Sequence, residues 1–280
     1  MIIHVLGTAQ DGGYPHAGCN EPCCSSIWSQ PKSHRLPSSI AAIDLKQKQF
    51  YLFDITPNVK EQLYQLNQYN CQLAGIFITH AHIGHYLGLM DLGLEVMNTK
   101  NIPVYIMPRM NNFILNNQPM LQLVKNNNIE LIKIDNHQNI LFDNLSIVPF
   151  EVPHRNELSE TVGFKIRTNN NSIIFLPDID DWDSWDTDLE QFVIENKLLF
   201  LDGTFYKKSE INLRDVSKIP HPEIIDTMNR LSKLPRSFRK RVHFIHLNHT
   251  NDALRKKTNA YKNIINSGFC ISEENQIFEF

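Results

Sequence analysis

The sequence is poor in the features that direct a protein to a membrane or a nucleic acid. None of its apolar runs approaches the roughly 18 residues of a membrane span. Residues 1–7 have a strand-like pattern, without the basic start of an export signal. The net charge of −3 offers no general attraction for polyanions. We therefore expect a cytoplasmic protein with a small-molecule substrate, and neither a membrane nor a nucleic acid as its partner.

Cysteine is scarce as well, and its distribution excludes a disulfide framework. The chain has five cysteines, an odd number, and Cys19, Cys23 and Cys24 are crowded together. In a reducing compartment clustered thiols are typical of metal ligands, whereas Cys71 and Cys270 lie among apolar neighbours and suit a core. A buried apolar cluster is the alternative for the first three, but the polar loop residues between them argue against it.

Apolar patterning predicts an α/β protein with a single domain over residues 1–280. Strand-like runs occur near residues 1–6, 39–45, 49–54, 74–79, 103–107, 129–134, 145–152, 162–168, 172–176, 197–202, 242–247 and 276–280. Helical patterns occur around residues 57–68, 85–98, 108–126, 182–195, 221–233 and 252–266. Paired early strands followed by strands that alternate with helices predict two sheets covered on the outside by helices. No internal repeat is visible.

Three histidines directly follow the strand-like residues 74–78, in the motif His80-x-His82-x-x-His85. Neutral imidazole is the commonest metal ligand, and alternate positions at a strand end point the same way. His80 and His82 can therefore bind one ion while His85 turns toward a neighbouring one. Three solvated loop histidines are the alternative, but such a cluster has no obvious structural use beside a buried strand. The motif thus predicts a metal site.

Further polar residues stand at or just after the ends of apolar runs. These are Asp54, His154, Asp178, Asp202 and His246. Loops at one edge of packed sheets are where rigid strands can hold reactive groups. We therefore expect these side chains to meet the histidine motif at one rim of the protein.

This ordered set resembles the metallo-β-lactamase-fold superfamily. The ligand-bearing motifs of that superfamily occur here in the same chain order: His80-x-His82-x-x-His85, His154, Asp178 and His246. Within it, residues 6–16 followed by Gly18 and Cys19 look like the pyrroloquinoline-quinone biosynthesis protein B group. The cysteine cluster and the pair His246-x-x-His249 are similar to the related cyclic phosphodiesterase of phosphonate breakdown. The resemblance implies an αββα sandwich, two central mixed sheets flanked by helices, with metals at its rim.

The resemblance also implies a ligand set with one departure. The first ion would take His80, His82 and His154, with Asp178 bridging, and the second would take His85, Asp178 and His246. The family's usual aspartate in His-x-His-x-Asp-His is Gly84 here. Glycine has no side chain to bind a metal, so the second site has lost a hard oxygen donor. Whether the rim binds one ion or two therefore stays open. The protein B group also varies at this motif.

A separate structural zinc is implied by Cys19, Cys23, Cys24 and His249. Three thiolates and one imidazole make a closed tetrahedron, which would tie the N-terminal loop to the C-terminal rim. Relatives often show Cys-x-Cys-x-x-Cys, whereas two of the cysteines here are adjacent. Whether both adjacent cysteines ligate therefore stays open.

Three other residues have two interpretations each. His221 matches the region where the phosphodiesterase relatives carry a histidine that assists the leaving group, and it is also a plausible helix-start residue before Pro222. Asp54 and Asp202 either orient metal-bound imidazoles or belong to the turns at strand ends.

The remaining candidates are weaker. Residues 180–186 are acidic and aromatic, which favours a capped surface helix over a pocket wall. Residues 236–241 are the most basic stretch, which favours a solvated link over a binding site for an anionic substrate. Asp11 and His16 lie in the N-terminal loop, and we assign neither a role.

The leading hypothesis is a metal-dependent hydrolase. An ion at the rim lowers the pKa of bound water so that hydroxide exists at neutral pH, and His221 protonates the leaving oxygen of a phosphodiester or other small ester. The substrate is expected to be anionic. We expect Zn²⁺ at the structural site and at the active site, with Mn²⁺ or Fe²⁺ as alternatives for the latter. A homodimer stays open.

Two rivals belong to other classes of protein. The protein B resemblance implies an iron-dependent oxidoreductase in quinone-cofactor biosynthesis, because imidazole and carboxylate ligands do not decide between Fe(II) and Zn(II). A non-catalytic scaffold is the other rival, and Gly84 is its best support. A scaffold, however, gains nothing from keeping the other ligands.

Overall fold

A computed structural model describes residues 1–168, 170–210 and 220–280. Over these residues the chain forms two mixed β-sheets of seven strands each. The first sheet contains β1 (Ile2–Gly7), β2 (Ser39–Asp44), β3 (Gln49–Phe53), β4 (Gln72–Phe77), β5 (Ile102–Ile106), β6 (Ile129–Lys133) and β14 (Ile277–Glu279). Its strand order is β14-β1-β2-β3-β4-β5-β6. Strands β3 to β6 run parallel to one another.

The second sheet has the same size and a related order, β13-β12-β11-β10-β9-β8-β7. Its strands are β7 (Ile140–Leu141), β8 (Ser146–Glu151), β9 (Val162–Arg167), β10 (Ser172–Leu176), β11 (Leu198–Asp202), β12 (Val242–Ile245) and β13 (Cys270–Ile271). Strands β10 to β13 are parallel. Every strand that the sequence predicts is present. Only β7 and β13 were not predicted, because two residues are too few to show an alternating pattern.

The α-helices lie between these strands along the chain. They are α1 (Pro22–Ser25), α2 (Val59–Leu66), α3 (Ile83–Tyr86), α4 (Pro108–Asn116), α5 (Gln118–Lys125), α6 (Leu189–Glu195), α7 (Ile224–Arg230), α8 (Arg236–Arg239) and α9 (Asn259–Asn266). Among the described helices, none is both long and apolar enough to cross a membrane.

Four of the predicted helices are wrong in extent. The helix predicted over 182–195 is α6, which begins only at Leu189. The helix predicted over 85–98 is α3 followed by a 3₁₀ helix at Leu87–Leu92, because the Gly88 amide donates to the Ile55 carbonyl instead of continuing an α-helix. The helix predicted over 108–126 divides at Asn117, since Pro119 lacks the amide that a continuous helix requires. The helix predicted over 252–266 is a 3₁₀ helix at Asp252–Leu254 and then α9.

The core between the two sheets is aromatic. Phe53 and Phe77 of the first sheet pack against Phe164 of the second, with ring centroids 5.6 and 5.5 Å apart, and all three are fully buried. The outer face of the first sheet packs on α2, α4 and α5, and that of the second on α6, α7 and α9. This layering confirms the predicted αββα sandwich.

The parallel strands explain how candidate residues meet. Asp54 follows β3, Asp178 follows β10, Asp202 ends β11 and His246 follows β12, so their strands all point toward one rim. The histidine motif begins three residues after β4, which runs parallel to β3. The basic residues 236–241 precede β12 and therefore lie at the opposite edge.

Candidate metal centre

The structure brings His80, His82 and His154 together. The Nδ1 atom of His82 lies 2.8 Å from His80 Nε2 and 3.4 Å from His154 Nε2. Ligand atoms bound to one tetrahedral ion at about 2.0 Å stand about 3.3 Å apart, which is close to this spacing. Ring nitrogens this near to one another must share a proton or a cation, so the geometry suits a cation site.

A second group forms around His85 and His246. The Oδ2 atom of Asp178 lies 3.1 Å from His85 Nε2 and 3.3 Å from His246 Nε2. Its other oxygen, Oδ1, lies 3.8 Å from His154 Nε2. Asp178 therefore stands between the two histidine groups, where a bridging carboxylate is expected.

Asp11 joins this second group, although the sequence assigned it no role. Its Oδ1 lies 3.4 Å from His85 Nε2, and the ligand atoms of Asp11, His85 and His246 all lie within 4.8 Å of one another. Burial alone would raise the pKa of Asp11, but the neighbouring His85 lowers it to about 2. The sequence contained one indirect signal. The usual aspartate of the histidine motif is absent at Gly84, while an aspartate is present in the N-terminal loop at position 11.

The outer nitrogens of the rim histidines are held by protein oxygens. The pairs are Thr79 Oγ1 with His80 Nδ1 at 2.9 Å, Asp54 Oδ2 with His85 Nδ1 at 2.7 Å, Asp180 Oδ1 with His154 Nδ1 at 2.7 Å, Asp202 Oδ2 with His221 Nδ1 at 2.7 Å and Thr204 Oγ1 with His246 Nδ1 at 3.0 Å. Such contacts fix the ring orientation. Four of these histidines direct Nε2 toward Asp178, namely His80, His85, His154 and His246. His82 is reversed and presents Nδ1.

The aspartates near the rim compare with their predicted roles as follows: Asp54 contacts the predicted ligand His85, as the orienting role requires. Asp202 also contacts an imidazole, but that of His221, which was predicted as a general acid and not as a ligand. Asp180 contacts His154, so residues 180–186 do not form the predicted surface helix, and α6 begins only at Leu189.

The protonation states of the rim groups suit a cation. Burial would raise the pKa of Asp178, but the imidazoles of His246 and His85 hold it well below its usual value. Burial lowers the pKa of His82 to about 4 and that of His80 well below its ordinary value. At neutral pH the rim thus offers a carboxylate and neutral imidazoles, which are ligand forms.

His85 differs in its charge from His80, His82 and His246, whose pKa values are lowered by burial. Burial by itself would lower the pKa of His85, but the carboxylates of Asp54, Asp11 and Asp178 raise it well above the ordinary imidazole value. A bound cation would compete with that proton, because metal ligands must be deprotonated.

Buried polar atoms without partners support the same conclusion. No donor with hydrogen-bond geometry reaches Asp178 Oδ2, and neither His221 Nε2 nor His246 Nε2 is hydrogen-bonded within the described part of the chain. Native proteins seldom leave such atoms unsatisfied, because each costs free energy. The donor set therefore fits a divalent cation.

The backbone is strained at two of these positions. Asp54 and His246 have φ angles of 62° and 63°, a left-handed conformation that residues other than glycine seldom adopt. Asp54 is held there by the Thr79 amide and hydroxyl, which donate to its carboxylate at 2.8 and 3.0 Å. Strain of about 1–3 kcal/mol per residue is typical of functional sites.

The predicted structural site assembles as well. Cys23 Sγ lies 3.7 Å from Cys19 Sγ, and Cys23 Sγ and Cys24 Sγ each lie 3.5 Å from His249 Nδ1. A tetrahedral zinc with sulfurs at about 2.3 Å separates them by about 3.8 Å, so the four donors have the required spacing. Both adjacent cysteines face His249. Burial raises the pKa of Cys24 to about 12, so a cation would be needed to keep it a thiolate.

His221 lies on the rim between the two groups. Its ring centroid is 5.6 Å from that of His154 and 6.0 Å from that of His246, and it is buried. Burial would lower the pKa of His221, but the Asp202 carboxylate raises it above the ordinary value. His221 lies three residues before Ile224, where α7 begins, so Pro222 is not the first residue of this helix and the helix-start interpretation is wrong.

An αββα sandwich with two groups of histidines joined by one aspartate defines a class of metal-binding proteins. Residues 50–247 match the family model described as "Beta-lactamase superfamily domain", and the chain belongs to this family. This confirms the resemblance to the metallo-β-lactamase superfamily.

Curated relatives and solved structures agree. The chain is 21% identical over 281 residues to "Coenzyme PQQ synthesis protein B" of Xanthomonas campestris pv. campestris, covering 91% of each chain. It is 23% identical to the protein of the same name from Methylobacillus flagellatus, covering 91% of this chain and 92% of that one. These relatives confirm the resemblance to the protein B group.

Two solved structures share the fold. The Zn²⁺-bound PqqB from Methylobacterium extorquens has a TM-score of 0.84 and 18% identity over the whole of both chains. A diphosphatase from the PhnP family has a TM-score of 0.68 and 22% identity, covering 100% of this chain and 96% of that one. The donor clusters of this chain themselves offer the imidazole and carboxylate ligands of a divalent metal at the rim.

Proposed function

We propose that the protein is a metal-dependent hydrolase acting on a phosphodiester or another small anionic ester. The observation that carries this proposal is the arrangement of two histidine groups about Asp178, with His221 beside them, whose Nε2 has no hydrogen-bond partner within residues 1–168, 170–210 and 220–280. A divalent cation, when bound there, supplies Lewis acidity and a nucleophile at neutral pH. His80, His82, His154 and Asp178 would hold it, and the oxygens behind their rings keep them oriented.

His221 is suited to protonate the leaving group. Asp202 Oδ2 accepts a hydrogen bond from His221 Nδ1 at 2.7 Å, which places the second proton of the imidazolium on Nε2, an atom without a hydrogen-bond partner among the described residues. A general acid must lie within hydrogen-bond reach of the departing oxygen and be protonated when needed. The raised pKa of His221 favours that protonated form.

Arg155 supports an anionic substrate. Its Nε is buried and finds no hydrogen-bond partner among the described residues, and its charge lowers the pKa of His82 and opposes the rise in that of His221. A guanidinium with an unused Nε donor suits a phosphate or carboxylate oxygen. Residues 236–241 do not serve this purpose, because they lie at the opposite edge and Arg241 donates to the carbonyls of Ile194 and Asn196.

The test is the leaving-group dependence of a His221→Gln variant. Metal-loaded protein is assayed on a panel of phosphodiesters, carboxylic esters and lactones, with either p-nitrophenol or an alkyl alcohol as leaving group. We expect His221→Gln to lose about 10²- to 10⁴-fold in kcat with alkyl leaving groups and little with p-nitrophenol, which departs without a proton. The exposed His137→Asn serves as the control.

Two outcomes would count against the proposal. Equal losses with both kinds of leaving group would remove the general-acid role from His221. Absence of turnover across the whole panel would remove the hydrolase. An Arg155→Gln variant adds a check on substrate charge, because KM should rise for anionic diesters and stay constant for neutral esters.

A second candidate function is an iron-dependent oxidoreductase. The curated relatives named for coenzyme PQQ synthesis, which cover most of this chain, favour it. Three imidazoles and a carboxylate suit Fe(II) as well as Zn(II), so the donor set does not decide between them. Oxygen consumption that depends on iron would support this candidate, and full activity with zinc alone would exclude it.

A further inference from the structure

The space beside Gly84 is already filled by another side chain. A Cβ atom added at Gly84 would lie 2.2 Å from Asp11 Oδ1, 2.7 Å from Asp11 Cα and 3.0 Å from Asp11 Cγ. Contacts this short with backbone are not tolerated in real structures, so position 84 cannot carry a side chain while Asp11 is where it is. Asp11 thus occupies the place that an aspartate at position 84 would need.

Asp11 faces the second histidine group from that place. Apart from His85 Nε2 at 3.4 Å, no donor of the described residues approaches its buried Oδ1. The Nδ1 of His85 is already held by Asp54, so its Nε2 is the atom available to a cation on the Asp11 side. Asp11, His85 and His246 present one ligand atom each within 4.8 Å of the others.

The loop that carries Asp11 is fixed to the segment that carries His246. The Gln10 amide donates to the Leu247 carbonyl at 3.0 Å, and the Leu247 amide donates to the Thr8 carbonyl at 2.9 Å. Directly after Asp11 the chain turns, with the Gly13 amide donating to the Gln10 carbonyl at 2.8 Å. The position of Asp11 relative to His246 is therefore set by backbone bonds on both sides of it.

We propose that Asp11 supplies the second rim ion with the carboxylate that position 84 supplies in the usual motif. The rim then holds two ions, the first on His80, His82 and His154, the second on Asp11, His85 and His246, with Asp178 shared. Carboxylate oxygen is a normal ligand for Zn²⁺, Mn²⁺ and Fe²⁺, so the exchange of donors keeps the chemistry of the site. The inference rests on the metal centre of the proposed function.

The experiment measures metal content and affinity, with the metals alone as probes. Wild-type protein, Asp11→Asn and the matched control Glu157→Gln are purified without added metal and loaded with Zn²⁺ or Mn²⁺. Ions per chain are counted by mass spectrometry, and binding is measured by calorimetry. Glu157 is the control because its carboxylate lies at the rim, 3.7 Å from His82 Nε2, but outside the second group.

We expect Asp11→Asn to retain one rim ion fewer than wild type, or to bind it at least about tenfold more weakly. Glu157→Gln should keep both rim ions. The double variant Asp11→Gly with Gly84→Asp clears the space and restores the usual motif, so it should regain the lost ion. Anomalous scattering from a metal-loaded crystal of the wild type adds a readout that requires no variant, because Asp11 Oδ1 should lie within about 2.2 Å of an ion.

Failure of this inference and failure of the proposed function are separable. If Asp11→Asn binds both rim ions as wild type does, or if an ion on His85 and His246 lies beyond bonding distance of Asp11, the role of Asp11 is refuted while the metal centre stands. If wild-type protein binds no rim ion at all, both are refuted. A wild type with one rim ion, bound by His80, His82 and His154, refutes the inference alone.

Discussion

His243 should make the protein sensitive to acid, and the size of the effect follows from its surroundings. The side chain lies on β12, 5% exposed, with its ring 5.1 Å from that of Phe278 and 5.9 Å from that of Phe200. Its Nδ1 has no hydrogen-bond partner in the described ranges. Burial lowers the pKa of His243 to about 4, from 6.5 in an open chain. The folded protein therefore holds this imidazole neutral.

The sign of the effect follows from that difference. Because the pKa is lower in the folded state, the unfolded chain binds the extra proton first as the pH falls. The stabilisation is complete above the unfolded pKa of 6.5 and is lost as the pH falls toward the folded value of about 4. Between pH 7 and pH 5 this single group should cost the folded state about 2 kcal/mol.

The assay is urea unfolding of wild type and His243→Phe at pH 7 and pH 5. Wild type should lose about 2 kcal/mol more than the variant over this interval. The contributions of the other buried histidines are the same in both proteins and therefore cancel. Any effect of the substitution on packing also cancels if it is equal at both pH values. The exposed His137→Asn, in which asparagine tolerates the left-handed backbone at φ 61°, should follow wild type. Equal losses in wild type and His243→Phe would refute the reasoning.

Three further predictions concern stability and metal content. Cys24→Ser should lose one ion per chain and unfold at a lower temperature, whereas Cys71→Ser should keep its metal; unchanged metal content in Cys24→Ser would contradict this. Phe77→Ala, which empties the core between the sheets, should lower the free energy of unfolding by about 3–5 kcal/mol in urea titrations. Trp182→Phe removes the hydrogen bond to Thr227 Oγ1 and should lower the free energy of unfolding by about 1 kcal/mol. The same substitution made in a Thr227→Val protein should cause no such loss, because the hydrogen bond is already absent there.

The strands and the rim residues could be predicted well because their signals lie within short segments of the sequence. A strand in a parallel sheet is a short apolar run, and a polar residue at its end is visible without knowledge of its neighbours. Asp178 and His246 could therefore be assigned from their own segments. The helices were less accurate because residues 182–188 have a helical pattern but bury Trp182 through a contact with Thr227, which is remote in sequence.

The residues that sequence reasoning missed depend on tertiary contacts. Asp180 lies in a stretch whose composition suggests a surface helix, and only the chain path after β10 places it at 2.7 Å from His154. Asp11 lies in a loop, where it has no periodic pattern to identify it. Its position becomes meaningful only when the N-terminal loop is seen to pack against Gly84. Residues 236–241 were interpreted as a link before a strand rather than an anion site, and strand direction agrees with this, because it places them at the edge opposite the rim.

The cysteine and histidine cluster joins segments that the ribosome releases at very different times. Cys23 and His249 are separated by 226 positions, so the three thiols leave the ribosome long before the imidazole that completes the group. A cation held by these four side chains would close a long loop of the polypeptide between the cysteines and His249, and would thereby restrict the unfolded ensemble. Oxidation of the three thiols would therefore compete with metal binding during synthesis, because the cysteines lack the His249 imidazole until that residue has been made.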